Sequence, residues 1–306
     1  MDAEVSVIIP ARDAAGTLAD ALAGLAAQES AGPFEVILVD DGSRDGTWAM
    51  ALASEVVDRV VALGGEGPAR ARNAGAAVAT APRLAFLDAD CRPTPHWLAA
   101  GSAALASADL VLGETRPRPD QPCGPFDRTL SVVGPSPLFE SANLFVAREL
   151  FERLGGFQSW LGPRAGKELA EDVWFGWRAR RSGARVTACP EALVHHAVFP
   201  RSAGAFVAER WRLRFFPAIV HRVPELRREM LYERFFLSDR TARFDAAVLG
   251  LILAAAARRP VLAAVAIPYA RRLASDPGGP FAGVAADAVG LAALMVGSVR
   301  YRSLLA

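Results

Sequence analysis

VSVIIPARDAAGTLADAL, residues 5–22, passes from an apolar segment into a helix-like one. VSVIIP predicts a buried strand, because Val and Ile favour strands and no charge interrupts them. Similar apolar runs recur up to about residue 114, at Val5–Pro10, Val36–Asp40, Arg59–Leu63, Leu84–Asp88 and Leu110–Gly113. Helical patterns separate them, near residues 17–28, 47–54, 68–79 and 96–107. This alternation predicts a doubly wound, mostly parallel α/β sheet with helices on both faces.

Polar residues follow the predicted strands at their carboxyl ends. Arg12 follows the first strand, Asp40–Asp41 end the second, and Asp88–Asp90 end the fourth. In open α/β sheets, ligands bind outside the carboxyl ends of the strands. The sequence therefore predicts a binding site at this edge of the sheet.

The composition excludes several classes of protein. The 306 residues include 34 basic and 33 acidic side chains, a balance that argues against nucleic-acid binding. An apolar fraction of 52% excludes a disordered chain. Three scattered cysteines indicate a reducing compartment rather than a disulfide framework. The start, MDAEVSVIIPARD, lacks the basic and long apolar regions of a secretory signal peptide. We therefore expect a cytoplasmic protein.

Two junctions between predicted strands and helices carry candidate binding groups. In LVDDGSRDGT, residues 38–47, paired carboxylates at an exposed strand end can accept hydrogen bonds from a ribose or a base. In GEGPARARNAGAAVA, residues 65–79, Pro68 after two glycines fits an anion site at a helix start. The alternatives are an ordinary capped turn and a solvated helix start.

LAFLDADCRP, residues 84–93, places two carboxylates at the end of an apolar strand. Side chains alternate along a strand, so Asp88 and Asp90 share a face. Hard oxygen ligands of this kind suit Mg²⁺ or Mn²⁺, particularly when a diphosphate supplies further oxygens. We therefore expect a divalent metal site here.

GKELAEDVWFGWRARRSG, residues 166–183, predicts an amphipathic helix with Glu171 and Asp172 in its first turn. Carboxylates at a helix N-terminus compensate the helix dipole, which is one explanation of the pair. The other is a general base held near an acceptor hydroxyl.

In this order, the four motifs resemble the family 2 glycosyltransferases, which have the GT-A fold. The resemblance also includes residues 5–22, SANLFVARELFERLGGF at 141–157, and Arg178 six positions after Asp172. It covers about residues 4–200. It implies an inverting enzyme that moves a sugar from a nucleotide-diphosphate sugar to an acceptor hydroxyl. The products of such enzymes include cell-envelope glycans, glycolipids and secondary metabolites, and uridine is the family's commonest donor nucleoside.

The resemblance also implies roles for individual residues. It places the nucleoside against Pro10, Ala11, Arg12, Asp40 and Asp41. It places the donor's phosphates beside Arg72, Asn73 and Asp88. It assigns Mg²⁺ or Mn²⁺ to Asp88 and Asp90, and the catalytic base to Asp172.

His195 and His196 follow a predicted strand, ALVHH. Some relatives take a further metal ligand from a histidine in this region, so both are candidates. A structural hydrogen-bonding role is the alternative. Trp160, Trp174 and Trp177 are candidates for a sugar-stacking wall, with core packing as the alternative.

The C-terminal third differs in composition from the rest. Residues 201–243 hold ten Arg against five Asp or Glu, and residues 244–306 are apolar. The runs 246–257 and 281–297 are each shorter than the roughly 20 residues that span a bilayer. Asp287 would also be costly at mid-bilayer. We expect peripheral attachment to the inner face of the plasma membrane, which a lipid-linked acceptor would fit. A soluble helical cap and an oligomer interface are the alternatives.

The expected organisation is a GT-A domain over residues 1–200, a connecting segment at 201–243 and apolar helices at 244–306. Within the domain, residues 1–114 form the nucleotide-sugar half and 115–200 the acceptor half.

A catalytically silent scaffold is disfavoured because every motif is intact. A sugar-nucleotide nucleotidyltransferase is disfavoured because PARDAAGTL is not a Gly-rich basic loop. The chain also lacks the Q-x-x-R-W motif of processive synthases, which favours single additions.

Overall fold

The computed structural model describes residues 2–162 and 169–305, which form two compact units. The N-terminal unit consists of Met1–Pro122 and Thr129–Val198, and the C-terminal unit of Cys123–Arg128 and Phe199–Ala306. The first three residues of the motif at 166–183 lie outside the described residues.

The N-terminal unit is built on one eight-stranded sheet with the order β3-β2-β1-β4-β7-β6-β8-β5. Its strands are β1 (Val5–Ala11), β2 (Phe34–Asp40), β3 (Arg59–Ala62), β4 (Arg83–Leu87), β5 (Cys91–Pro93), β6 (Leu110–Pro117), β7 (Asn143–Ala147) and β8 (Val186–His196). The first four strands are parallel, and so are β6 and β8. Among the strands in the described residues, β5 and β7 run antiparallel to their neighbours. The predicted mostly parallel α/β sheet is confirmed.

Helices cover both faces of this sheet. They are α1 (Leu18–Ala26), α2 (Thr47–Ala53), α3 (Pro68–Val78), α4 (Trp97–Ala104), α5 (Arg148–Arg153) and α6 (Glu171–Arg181). Ile9 of β1 joins a core cluster with Leu22 of α1 and Trp97 of α4. Its neighbour Ile8 points to the other face, where a Cβ at Gly75 of α3 would lie 2.5 Å from its Cγ2.

Strand β7 lies in SANLFVARELFERLGGF, residues 141–157, which the resemblance includes but in which no strand was predicted. It consists of a short apolar run at residues 144–147, preceded by a buried asparagine. Asn143 accepts a hydrogen bond from Trp97 Nε1 (2.8 Å) and donates to the carbonyls of Glu114 and Ala192 (2.9 and 2.8 Å). These bonds fix β7 beside the point where the pairing of β6 and β8 shifts register, between Gly113 and Glu114.

Substitution of Gly101 by alanine, which adds a single methyl group, tests the packing of α4 on this sheet. A Cβ there would lie 2.2 Å from the Phe145 ring, inside the core. We expect Gly101→Ala to lower the free energy of unfolding by about 2 kcal/mol, because an overpacked core forces side chains off their rotamers. Gly16→Ala is the control, since nothing lies within 4 Å of its added methyl. Equal urea midpoints for the two variants would contradict this packing.

The C-terminal unit is helical. It contains α7 (Ala203–Glu209), α8 (Phe216–Arg222), α9 (Leu226–Glu229), α10 (Asp239–Ala257), α11 (Ile267–Ala274), α12 (Pro280–Tyr301) and 3₁₀ helices at Arg210–Phe215 and Pro260–Ala266. Asp287 of α12 accepts hydrogen bonds from Arg240 Nε (2.9 Å) and the Tyr269 hydroxyl (2.8 Å). Arg240 also pairs with Asp276 at 2.7 Å. The acidic residue that interrupts the apolar run is thus paired inside this unit.

Helix α12 is, among the described residues, the one helix long and apolar enough to cross a membrane. Its 22 residues reach a mean hydropathy of 1.8 over the most apolar window. A single helix of this kind also occurs in the cores of soluble proteins, and 39% of this window is buried within the protein. Length and composition alone therefore do not make it a membrane span.

Candidate active site at the carboxyl edge of the sheet

The central strand β1 lies between β2 and β4, so the loops that leave these three strands meet at one edge. Ala11 is paired in register with Asp40, and both are buried. Pro10 precedes them on β1 and is partly buried, whereas Arg12 is half exposed in the loop that follows. These four predicted nucleoside contacts therefore lie together at the expected edge.

Asp41 is buried and holds the start of α3. Its carboxylate accepts hydrogen bonds from the backbone N–H groups of Gly65, Glu66 and Gly67, at 3.1, 2.6 and 2.8 Å. The Arg12 guanidinium lies 3.7 Å away. A carboxylate at a helix N-terminus satisfies donors that have no partner within the helix. The hydrogen bonds of Asp41 therefore fix the loop at residues 65–67.

Asp40 has one carboxylate oxygen available. Its Oδ2 accepts the Ser43 N–H at 3.2 Å. Its Oδ1 is buried and has no hydrogen-bond partner among the described residues. Buried polar atoms are nearly always hydrogen-bonded, so an exception of this kind indicates a missing partner. Asp40 Oδ1 is therefore an acceptor suited to a bound ligand.

Arg72 of α3 joins two acidic groups from distant parts of the chain. Its Nη2 donates to Asp88 Oδ1 at 2.7 Å, and its Nη1 donates to Glu171 Oε1 at 3.2 Å. The Arg72 side chain is 6% exposed, and it lies over the Phe157 ring at 5.8 Å from the centroid. Removal of either carboxylate would be destabilising, because it would leave the buried charge of Arg72 less well compensated.

Both polar atoms of the Asn73 side chain form hydrogen bonds with the backbone. Its Nδ2 donates to the Phe157 carbonyl at 2.7 Å, and its Oδ1 accepts the Phe157 N–H at 2.9 Å. These bonds fix the loop after α5, and so the aromatic ring beneath Arg72. The predicted contact of Asn73 with donor phosphates stays a prediction, while the contacts seen here are structural.

Asp90 lies beside His196 and away from His195. The Asp90 Oδ2 and His196 Nε2 atoms are 3.3 Å apart. Burial disfavours the charged ring of His196, but the hydrogen bond and charge of Asp90 outweigh it and raise its pKa. Adjacent strand residues point to opposite faces, so the structure does not bring His195 to Asp90. Burial and the charge of Arg92 lower the pKa of His195.

The donor chemistry of Asp88, Asp90 and His196 fits Mg²⁺ or Mn²⁺. Within residues 2–162 and 169–305, no group of three or more His, Cys, Asp or Glu side chains is already arranged around a metal position. Asp88 instead holds Arg72, and Asp90 faces His196. His196 Nδ1 lies 2.6 Å from the Ala197 carbonyl, a contact that fixes the ring and leaves Nε2 toward Asp90.

The carboxyl group of Asp172 has a pKa near neutral pH. Its Oδ2 accepts the Ser141 N–H at 3.4 Å, and its Oδ1 accepts the Val173 N–H at 2.8 Å. Burial raises its pKa to about 7, and the negative charge of Glu171 adds to this effect. The positive charge of Arg72 opposes it. A base with a pKa near 7 suits proton transfer at physiological pH.

The three candidate tryptophans have different surroundings. Trp177 is in the core, where its Nε1 donates to the Pro137 carbonyl at 3.0 Å and its ring packs on Phe139. Trp177 therefore packs in the core, which was the alternative to a sugar-stacking role. Trp160 and Trp174 are partly exposed, and their indole N–H groups donate to the Ala170 carbonyl and to Gln158.

Glu140 had no predicted role, and Glu171 was predicted only as part of the acidic pair at the start of α6. Glu171 is buried on Arg72, and Glu140 Oε2 is buried with no hydrogen-bond partner among the described residues. Glu140 also raises the pKa of Asp172. No specific signal in the sequence indicated the contact of Glu171 with Arg72, because α3 carries two arginines, Arg70 and Arg72, of which Arg72 is the buried one.

The open α/β sheet of this order, with acidic groups gathered at its carboxyl edge, is a GT-A-type fold. Residues 6–140 match the family described as Glycosyl transferase family 2. The glycosyltransferase AglE of Haloferax volcanii is 28% identical over 211 residues, which cover 64% of this chain and 67% of that protein. Residues 6–140 thus match glycosyltransferase family 2, and the similarity to known glycosyltransferases supports a transferase enzyme.

Further relatives share the N-terminal part or the fold. The validoxylamine A glucosyltransferase of Streptomyces hygroscopicus subsp. jinggangensis is 38% identical over 117 residues, 36% of this chain and 28% of that protein. The mannosyltransferase PcManGT from Pyrobaculum calidifontis, solved with GDP-Man and Mn²⁺, covers 99% of this chain and 88% of its own (TM-score 0.68, 22% identity). The match to TarS 1-349 of S. aureus, solved with UDP-GlcNAc, covers 98% of this chain and 92% of the TarS chain (TM-score 0.51, 17% identity). The solved structures establish the fold.

Proposed function

We propose that this chain is an inverting glycosyltransferase that moves one sugar from a nucleotide-diphosphate sugar to an acceptor hydroxyl. The observation that carries the proposal is the buried connection from Asp88 through Arg72 to Glu171, which adjoins Asp172. It ties the acidic edge of the sheet to a carboxyl group with a pKa near 7. Structural neighbours solved with GDP-Man and UDP-GlcNAc support the donor class.

The nucleoside end of the donor would bind beside β1 and β2. Asp40 Oδ1 is a buried acceptor that lacks a partner among the described residues, and a base N–H or a ribose hydroxyl would supply one. The half-exposed Arg12 lies at the same edge. Asp41 contributes indirectly, because its three backbone hydrogen bonds set the loop at residues 65–67.

The diphosphate end would bind near Asp88 and Asp90. These carboxylates, with His196, are the residues that would hold Mg²⁺ or Mn²⁺. The metal would neutralise charge on the leaving diphosphate. Arg72 adds a fixed positive charge at the same place, since its guanidinium donates to Asp88. Charge held in advance near the leaving group needs no reorganisation during the reaction.

Asp172 is the proposed general base. It takes the proton from the acceptor hydroxyl while that oxygen bonds to the anomeric carbon. The bond from the anomeric carbon to the diphosphate oxygen breaks with its electron pair on the diphosphate. Attack from the opposite face inverts the anomeric configuration. Donor and acceptor held in line supply much of the rate. Relatives named for glycan and glucoside synthesis support a carbohydrate, glycolipid or secondary-metabolite product.

Thermal-shift measurement with a panel of nucleotide sugars, with and without Mn²⁺, tests the function. A ligand that binds only the folded state raises the melting temperature by mass action. We expect one nucleotide class to give a shift that requires the metal, followed by transfer to a hydroxyl acceptor. Absence of a shift with every donor, in folded protein, would favour a scaffold.

The pH dependence of transfer tests the base. Asp172 must be deprotonated to accept the proton, so kcat/KM should rise with pH and level off above about 7. We expect Glu171→Gln to move this midpoint to lower pH, because the charge of Glu171 helps to raise the pKa of Asp172. A profile that is flat between pH 5 and 8, or an unmoved midpoint in the variant, would contradict this assignment.

We also propose a peripheral location at the inner face of the plasma membrane. The C-terminal unit carries 17 Arg against 9 Asp or Glu, whereas the N-terminal unit carries 17 basic against 24 acidic residues. Anionic lipids of the cytoplasmic leaflet attract basic segments, at about 1 kcal/mol per residue near the surface. Cell fractionation in low and high salt tests the location, and we expect salt to release the enzyme.

A further inference from the structure

The outward face of α12 is apolar along its whole length. Exposed residues recur every three or four positions, at Phe281, Val284, Ala288, Ala292, Met295 and Val299. Phe281 is 90% exposed and Val299 is 83% exposed. The opposite face is buried and made mostly of small residues, which include Gly283, Ala286, Gly290 and Gly297. A surface helix of a soluble protein normally has the reverse pattern, with polar residues outward.

The end of α10 and the 3₁₀ helix after it form a second apolar surface in the same unit. The large exposed residues are Leu249, Leu251, Ile252 and Leu253 on α10, and Val261 and Val265 on the 3₁₀ helix. Three consecutive positions, 251–253, are exposed, so this end of α10 presents apolar side chains in several directions. Scattered exposed apolar residues are ordinary, but concentrations of this kind mark binding surfaces.

Arginines adjoin both apolar surfaces. Arg258 and Arg259 form the exposed turn between α10 and the 3₁₀ helix, and Arg300 is exposed at the end of α12. The whole C-terminal unit has an excess of eight positive charges, from 17 Arg and 9 acidic residues. A second copy of the same face would bring like charges together. An anionic lipid surface complements both the apolar side chains and the arginines.

We propose that the exposed faces of α10, the Pro260–Ala266 helix and α12 bind the surface of a bilayer that contains anionic phospholipid. The inference deepens the proposed peripheral location and rests on it. The helices lie in the interfacial plane with apolar side chains about 5–10 Å deep, while the arginines reach the headgroups. Spanning is disfavoured, because the small-residue face of α12 packs within the unit and Asp287 is paired with Arg240.

Flotation with lipid vesicles tests the proposal on the full chain. The probes are vesicles of phosphatidylcholine alone and of phosphatidylcholine mixed with phosphatidylglycerol, in low and high salt. We expect binding only to the mixed vesicles and release by salt. The double variant Phe281→Glu, Val299→Glu should bind about 10-fold more weakly, since two exposed apolar anchors are replaced by charges that the lipid repels. A second variant, Arg258→Gln with Arg259→Gln, should lose most of the preference for anionic lipid.

Leu52→Glu is the matched control, because Leu52 is 61% exposed in α2 of the N-terminal unit. It should bind vesicles as the parent does. Equal binding by this control and the α12 variant, or no binding to either vesicle, would overturn the proposal. So would a dimer in sedimentation that the α12 substitutions disperse. Donor-dependent thermal shifts, measured without lipid on the same preparations, should be equal in all variants. A missing shift in the parent would count against the transferase function, independently of lipid binding.

Discussion

We expect Asp172→Asn to lower the rate of sugar transfer by at least about 1000-fold while donor affinity changes little. Asparagine keeps the size of the side chain and can still accept a hydrogen bond at its oxygen. It cannot accept the proton of the acceptor hydroxyl at neutral pH. The large loss should therefore fall on kcat, because the interaction removed is made only as the reaction proceeds. Single-turnover transfer and donor calorimetry measure the two quantities separately.

Asp109→Asn is a suitable control for this substitution. Asp109 forms a pair with Arg185 at 3.1 Å that is well exposed on the arginine side, outside the Arg72 network. A pair of that kind contributes little to stability. The control should transfer sugar at nearly the parent rate. Residual transfer above about a tenth in Asp172→Asn would remove this residue from the role of base, and Glu171 and Glu140 would become the candidates to test.

The sequence was sufficient to locate the first half of the sheet. The strands β1, β2 and β4 are largely apolar and buried on both faces, and such runs are visible without knowledge of their partners. Strand β8 was only partly predicted, as ALVHH, although it spans Val186–His196. Its first residues are partly exposed, and its pairing with β6 shifts register, so no simple period marks it.

The candidate site could be predicted as a set of residues but not as a set of contacts. Arg72 meets Glu171 across 99 positions of sequence, and the motif order gives no sign of that pairing. The difference between His195 and His196 follows from strand alternation and from the register of β8 against β5. Local patterns fix neither of these. Tertiary packing decides which of the predicted polar groups meet and which, like Asn73, are used to hold the backbone.

Asp90→Ala is expected to remove most of the metal dependence of donor binding. Calorimetry with a nucleotide sugar in Mn²⁺ and in EDTA gives two affinities, and their ratio should fall by about 10-fold to 100-fold in the variant. Asp90 suits this test better than Asp88. Loss of Asp88 would also free the Nη2 of Arg72 and disturb the contact with Glu171, so its effect would combine two causes.

The adjacent histidines provide a matched pair for the same measurement. His196→Gln removes a ring that faces Asp90 at 3.3 Å, whereas His195→Gln changes a ring on the opposite face of β8. We expect His196→Gln to reduce the metal-dependent affinity ratio and His195→Gln to leave it unchanged. If Asp90→Ala kept the parent ratio, the metal would not be held by this carboxylate. Arg72 would then be the principal positive charge at the diphosphate, and activity would survive EDTA. The two results separate a transferase that depends on a metal from one that neutralises its leaving group with a buried arginine.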